Sequence, residues 1–542
     1  MAQIKEYVLS QLNEEQWKSA IHTTTDQLIL AGAGSGKTRV LTYKIAYMIY
    51  ELWINPDHIL AVTFTNKAAA EMKVRLSQIW KDIWEKFAIN GNNYNYRWIG
   101  TFHGMFLRML KEIYSDKSLG FGYNTNFGIY DDGEAKSTVN KIIKELKLEQ
   151  KIELDVARRT ISKLKNEWIT ANKYLHMTVT HQDEYIWMIY EQYEKELLRS
   201  NMMDFDDLLL QPYIVFRKHE ELLSNWANRW RYIMVDEAQD TNWIQFELMK
   251  LLTSCGTKIT FIWDDYQSIY RRRWAMMDNF LNVDKFWPDI VTNKLQINYR
   301  SKSHIVQAGN SVIANNRKQY QKIVTAHREA SEKIIHIENV NEIDEAKNVI
   351  DLIKKFQKDK NMTRSDFAIL YRKNAQSAAF EQFLIMENIP YKIFGWFKFL
   401  ERKEIKDILW YMKFINNTSD NVSLKRIINT PTRGISMDTV SKLEWYSFQK
   451  DLNIWDIINS QTHLQSVWIS SRAIESIIKF NTMINYILSF LDGFTPSQII
   501  ENIVNMTKYK EYLVEKEWKS IWQEKIDNIW ELINIASKYD IS

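Results

Sequence analysis

The sequence predicts an α/β protein whose chemistry sits at the carboxyl ends of buried strands, and three stretches predict it. Leu28–Tyr50, LILAGAGSGKTRVLTYKIAYMIY, reads as a short apolar strand, a Gly-rich turn and an amphipathic helix. Tyr232–Asn242, YIMVDEAQDTN, reads as a second strand that ends in two acids. Phe261–Phe280, FIWDDYQSIYRRRWAMMDNF, reads as a buried strand, a turn, and a helix that begins charged.

The first stretch is a phosphate cradle. Ala31-x4-Gly36-Lys37-Thr38 is a P-loop with Ala in the first Gly position. The backbone N–H groups of Ala31, Gly32, Ala33, Gly34, Ser35 and Gly36 surround phosphate oxygens, and the helix N-terminus adds positive potential. Lys37 is expected to reach the β- and γ-phosphates of ATP, and the Thr38 hydroxyl to bind Mg2+. A plain Gly turn has no need of the Lys-Thr pair. In the second stretch, Asp236 is expected to hold Mg2+ through water and Glu237 to orient and deprotonate the attacking water. An acidic pair also opens solvated helices for electrostatic reasons alone, and the P-loop upstream is what makes the catalytic reading the stronger. The two stretches lie far apart in the chain, so a domain is inserted between them; Ser137–Trp168, helical, basic and amphipathic, is the candidate.

The totals set outer limits. At 542 residues the chain needs several domains. A net charge of +4, from 71 basic and 67 acidic residues, does not announce nucleic acid, so any DNA site is a local groove. The single cysteine, Cys255, excludes an internal disulfide framework and fits a reducing, cytoplasmic setting. The opening MAQIKEYVLSQLNEEQ has no signal-peptide pattern, and no apolar run approaches the ~18 residues that span a bilayer.

Further motifs follow in a fixed order, and with them the chain resembles the UvrD/Rep family of superfamily 1 DNA helicases. Leu12–Gln16 (LNEEQ) looks like the Q motif, Ala61–Leu76 like motif Ia and Ile99–Gly104 (IGTFHG) like motif Ib. Met203–Leu209 (MDFDDLL) precedes the acidic strand as it does in the family. Asp264–Tyr270 (DDYQSIY) looks like motif III and Leu295–Ser301 (LQINYRS) like motif IV; ILYRKNAQS, FKFLERKEIKDIL and IINTPTRGIS continue the series. The resemblance covers essentially the whole chain. It implies tandem RecA-like P-loop domains, each interrupted by a helical insertion: a first motor domain over 1–110 and 196–278, an insertion over 111–195, the first part of a second motor domain over 279–397, and its insertion over 398–542.

The resemblance also implies roles. Gln16 reads the adenine edge, and Arg39 and Tyr299 contact or stack the nucleotide. Gln267 senses the γ-phosphate and couples it to DNA. Arg300 reaches the γ-phosphate from the second motor domain, as arginine fingers do. Phe64, Thr65, Asn66, His103 and Tyr270 fall at DNA-contacting positions; stacking on such aromatics contributes ~1–3 kcal/mol per base without demanding sequence. Where the family carries an aromatic platform before the motif III arginine, this chain has Arg272 and Arg273, whose guanidinium planes can also stack. The implied activity is ATP-driven translocation on single-stranded DNA with 3′→5′ unwinding at duplex junctions, in repair, replication restart or recombination, with repair or replication proteins as partners and no membrane.

Two departures stand out. Glycine numbers 15 where ~7% usage predicts about 38. Trp numbers 21, and the two together come close to that expectation for Gly alone. Trp263, Trp274, Trp396 and Trp53 fall where the family reads Gly. The hypothesis is a reassigned stop codon, read by the cell as Gly and rendered as Trp; ordinary TGG codons at 263 and 274 would exclude it. Crowding and a wrong φ are the expected costs of an indole at such turns. The second departure is that motifs V and VI are not visible after IINTPTRGIS. The expectation is an incomplete second motor domain in a fragment or interrupted gene, with weak or absent ATP hydrolysis. An ATP- and DNA-binding module without turnover is the alternative, and a nuclease domain beyond residue 542 is left open.

Overall fold

The computed structural model describes every residue except 1, 88–95, 117–120, 269–281, 317–318, 321, 331, 374–375, 394–401, 451, 517–518, 538 and 541–542. Its strands are β1 (Gln27–Ala31), β2 (Ile59–Thr63), β3 (Ile99–Thr101), β4 (Gly128–Ile129), β5 (Met202–Met203), β6 (Tyr232–Val235), β7 (Lys258–Trp263), β8 (Val291–Leu295), β9 (Ile297–Lys302) and β10 (Thr325–Arg328). Six of them form one parallel sheet in the order β3-β2-β6-β7-β1-β8. Parallel strands need crossovers, and helices supply them: Lys37–Tyr50 after β1, Asn66–Phe87 after β2 and Trp243–Leu252 between β6 and β7. Because helices cover both faces, these strands are near-continuous apolar runs. Alternate residues enter two separate cores. Leu28, Leu30, Val62, Val235 and Phe261 face one; Ile29, Ala31, Ala61, Met234 and Ile262 face the other. β6, β7 and β1 are neighbours, so the acidic strand, the motif III strand and the P-loop strand end side by side.

The sheet overruns the boundary expected at 278. Val291–Leu295, assigned by sequence to the second motor domain, pairs residue for residue with Gln27–Ala31 as the sheet's edge. Its sequence, VTNKL, is largely exposed and lacks the apolar signature of the inner strands. The insertion is also offset from 111–195. Ile113, Tyr114 and Phe127 pack in the core of the main sheet, whereas a core of the insertion's own runs from Tyr130 to Met202. At its root β4 and β5 pair, with Gly128 N–H donating to Asn201 O at 3.0 Å and Tyr130 N–H to Met203 O at 2.8 Å.

The helices between Lys403 and Ser537 form the second insertion, which lies against the first. Lys413 pairs with Glu134 at 2.5 Å, and Asn417 donates to Ser200 O and Asn201 O, both at 3.1 Å. Residues 331–402 form a separate compact unit in which the helices Glu342–Lys360 and Ser377–Met386 pack together, joined by the Lys354–Glu387 pair at 2.6 Å. Among its described residues there is no strand. No described helix is long and apolar enough to cross a membrane.

The tryptophans divide. Trp53 has φ 56° and is 66% exposed just past the end of the helix Lys37–Tyr50. Trp263 corrects the expectation of a wrong φ: it is the last residue of β7, in extended register with Leu30, fully buried, its ring 5.2 Å from Tyr320 edge-on. A strand position makes no demand for positive φ, so an indole is tolerated there by the backbone. Trp274 and Trp396 lie outside the described residues.

Candidate nucleotide and nucleic-acid site

The P-loop leaves the buried β1 and turns through Gly34 (φ 67°) into Gly36 (φ 84°), which caps the helix that starts at Lys37. Gly34 is required twice over. Its φ is left-handed, and an added Cβ would meet Arg300 Cβ at 2.8 Å and Asn298 Nδ2 at 2.9 Å. The start of β9 lies directly on the loop: Tyr299 N–H donates to Gly34 O at 2.9 Å, and Asn298 Nδ2 to Ala33 O at 2.6 Å. Gly32 N–H donates to Leu295 O at 3.0 Å. Gln16 seals the other side, donating to Ser35 O at 2.9 Å, while its Oε1 closes a capping box on Asn13 N. Asn13 Nδ2 donates to the Tyr299 hydroxyl at 2.6 Å, so the expected adenine-side residues form one connected group. Arg39 is exposed, donates to Gln11 O at 2.7 Å and lies over the Tyr43 ring. Thr38 is half-buried at the helix start.

The acids converge on Lys37 from the two neighbouring strands. Lys37 Nζ donates to Glu237 Oε2 at 2.9 Å and stands 3.7 Å from Asp264 Oδ2. Glu237 itself has φ 51°, a left-handed conformation that non-Gly residues keep only where surrounding structure enforces it. Its Oε2 also accepts from Gln239 at 2.5 Å, and Gln239 Oε1 accepts the Asp264 N–H at 3.0 Å. Gln267 donates to Asp264 Oδ2 at 2.6 Å. Arg300 is exposed and makes no ion pair with any described residue.

Burial makes this cluster electrostatically incomplete. Asp236 is buried, and burial followed by the Glu237 charge pushes its carboxyl up to about 6, against the pull of Lys37. Asp240 is pushed up to about 6 by the same causes, and its Oδ1 has no hydrogen-bond partner among the described residues. A buried, under-compensated carboxylate at one strand end and a threonine hydroxyl at the P-loop helix start are oxygen donors of the kind that suit Mg2+. No set of three or more His, Cys, Asp or Glu gathers around a metal position among the described residues.

A second surface lies at the ends of β2 and β3. Phe64 is 49% exposed, Thr65 and Asn66 are exposed at the start of the helix Asn66–Phe87, and Thr65 Oγ1 accepts the Ala68 N–H. His103, half-buried, packs edge-on against the exposed Phe205 at 6.0 Å, and burial lowers its pKa. An imidazole whose pKa is lowered by burial, beside one accessible phenyl ring, suits base stacking more than phosphate attraction. Tyr270, Arg272 and Arg273 lie outside the described residues. Sequence reasoning did not single out Phe205, though MDFDDLL contains it, nor Gln239, Asp240 and Asp264, whose signal was their place in DEAQD and DDYQ.

Residues 12–288 match the UvrD/REP helicase N-terminal domain, and residues 293–542 match the UvrD-like helicase C-terminal domain. The chain belongs to the UvrD/REP helicase family. It is 35% identical over 534 residues to the ATP-dependent DNA helicase PcrA of Staphylococcus aureus, spanning 98% of this chain and 70% of that protein. To PcrA of Staphylococcus epidermidis it is 34% identical over 534 residues, spanning 98% of this chain and 71% of the relative. For a UvrD/REP member the fold class is as expected, tandem RecA-like α/β domains with helical insertions.

Proposed function

We propose that this chain is an ATP-hydrolysing DNA helicase that translocates on single-stranded DNA and unwinds duplex junctions with 3′→5′ polarity. The observation that carries the reading is the convergence of Lys37, Asp236, Glu237 and Gln267 at three adjacent strand ends, with Asn298, Tyr299 and Arg300 seated on the P-loop. Family membership supports the same activity. Phosphates draw Lys37 away from Glu237, which frees that carboxylate to accept a proton from the attacking water. Thr38 and Asp236 would hold Mg2+, which would neutralise phosphate charge there. Gln267 orients against the γ-phosphate while its other contact stays on Asp264. Arg300, with no competing ion pair among the described residues, is available to the transferring phosphoryl group. Phe64, Thr65, Asn66 and His103 grip bases, joined by Tyr270, Arg272 and Arg273. The setting is a reducing cytoplasm, and the pathway is repair, replication restart or recombination with partners from those systems.

A second reading is binding of ATP and DNA without turnover. The test is ATP hydrolysis by chain 1–542 with and without oligo(dT), beside Lys37→Ala. DNA-stimulated turnover that the substitution abolishes supports the motor. Nucleotide binding without turnover supports the second reading, and no nucleotide binding sinks both.

A further inference from the structure

The proposed mechanism leaves one fully buried cation in the nucleotide site without a role. Lys322, just before β10, directs Nζ at Ala31 O (3.0 Å), Asp264 Oδ1 (2.8 Å) and Asp265 Oδ1 (2.8 Å), and lies 4.2 Å over the Tyr266 ring. All three side chains, Lys322, Asp264 and Asp265, have no exposed surface. The segment is tied down on both sides: Tyr266 Oη donates to Lys322 O at 2.7 Å, and Tyr320 N–H donates to Asp265 Oδ2 at 2.7 Å. Lys322 therefore joins the end of the P-loop strand to the end of the motif III strand.

Asp264 has two cations within reach, Lys37 at 3.7 Å and Lys322 at 2.8 Å. Nucleotide phosphates compete for Lys37 but not for Lys322, which is sealed from solvent. Once Lys37 turns to phosphate, Asp264 would be a fully buried charge with no counter-ion unless Lys322 holds it, and such a charge is strongly unfavourable. Asp264 Oδ2 is also what Gln267 Nε2 holds at 2.6 Å. We propose that Lys322 is a positioning residue for ATP turnover: it keeps Asp264 paired and fixed through the nucleotide cycle, and through Asp264 it aims Gln267. This rests on the ATPase reading above.

The test compares wild type, Lys322→Met and Lys322→Arg, with Lys322→Met/Asp265→Asn as the variant that folds if the single change leaves too much buried negative charge. Binding of a fluorescent ATP analogue with Mg2+ to wild type comes first; its failure counts against the ATPase reading. With binding established, Lys322→Met should lower kcat at least tenfold, change KM for ATP less than threefold, and bring the oligo(dT) stimulation ratio towards one, with partial recovery in Lys322→Arg. A merely structural lysine would lower the folded fraction and leave KM and the stimulation ratio of the folded molecules alone, and that result overturns the proposal. A crystal structure of Lys322→Met with Gln267 still bonded to Asp264 overturns it whatever the turnover.

A different observation carries a second inference. Among the non-Gly residues with left-handed φ, Asn201, Asn361 and Asn388 are of a type that tolerates it, Glu237 sits in the site, and Lys147 and Lys508 carry unbranched side chains at helix ends. Trp53 (φ 56°) and Trp168 (φ 48°) are not. Trp168 stands at the turn after the helix Leu154–Asn166, where its N–H returns to Lys165 O and the Ile169 N–H to Leu164 O, the pairing that most favours glycine at that residue. At Trp53 the Ile54 N–H closes back on Met48 O across the same conformation, and the indole is 66% exposed. With glycine depleted and tryptophan raised, the geometry points to glycine at 53 and 168 in the protein as its own cell makes it. Peptide masses of the protein isolated from that cell decide the matter. Glycine at both positions confirms it, and tryptophan at either overturns it there. Independently, Trp53→Gly should raise the melting temperature by a few degrees, and a fall would count against the assignment. Trp168 is a weaker thermal test because its ring also stacks on Trp243 at 5.2 Å.

Discussion

Two clusters in this chain set a buried lysine against aspartates, and they are built to opposite ends. At the root of the first insertion, Lys165 pairs with Asp204 at 2.7 Å and Asp207 at 2.8 Å. Every other oxygen there is taken: Asp204 Oδ1 accepts from Asp207 N–H, Asp207 Oδ2 from Asp204 N–H, and Tyr193 Oη donates to Asp204 Oδ2. Although burial acts to lower it, Asp204 and Asp207 hold the Lys165 ammonium well above the ordinary lysine range. At the P-loop, by contrast, Lys37 faces more carboxylate than it can satisfy, Asp240 Oδ1 has no hydrogen-bond partner among the described residues, and Glu237 is held in a left-handed backbone. The same residue types give a closed structural bolt in one place and a vacancy for charge in the other. What separates them is how many hydrogen bonds are already made.

The comparison can be broken at several points. Lys165→Met should have the largest effect on stability, about 3–5 kcal/mol in chemical denaturation, because it strands two buried aspartates. Lys37→Ala should leave the denaturation midpoint close to wild type and reduce ATP turnover by about 10²–10³-fold; a stability loss equal to that of Lys165→Met would erase the distinction. Asp236→Asn should stabilise the ligand-free protein. The folded carboxyl, raised from 3.8 to about 6, binds more protons folded than unfolded between those values, so stability falls as pH climbs through that window. Removing the group removes the fall, a gain of about 3 kcal/mol above pH 7, while hydrolysis is lost; melting curves from pH 4 to 8 check both the sign and the window. Tyr193→Phe, which deletes one bond of the closed cluster, should cost about 1 kcal/mol and leave turnover unchanged.

The motifs that could be read from sequence are those whose parts are contiguous. GAGSGKT, DEAQD and NYR each bring their own strand, turn or helix, and the structure brings all three into contact at the P-loop. Lys322 could not be read, because its partners are Ala31, Asp264 and Asp265, brought near only by the sheet order. The edge strand β8 was missed because VTNKL is polar and lies open to solvent. Trp263 was expected to clash because the reading assumed a turn where the chain continues as strand. The insertion's limits could not be read because the helix Phe102–Ile113 is amphipathic like the helices that follow, and only packing divides them.

The β4–β5 pair has a practical corollary. The chain leaves for the insertion at Gly128 and returns at Asn201 within a single hydrogen bond, and the excursion between them carries its own core. The inserted piece is therefore a cassette. A short Gly-Ser bridge from 128 to 202 would span the same gap, provided Asp204 and Asp207 are changed to Asn to match the loss of Lys165, and foreign domains with closely spaced termini could be grafted at the same seam.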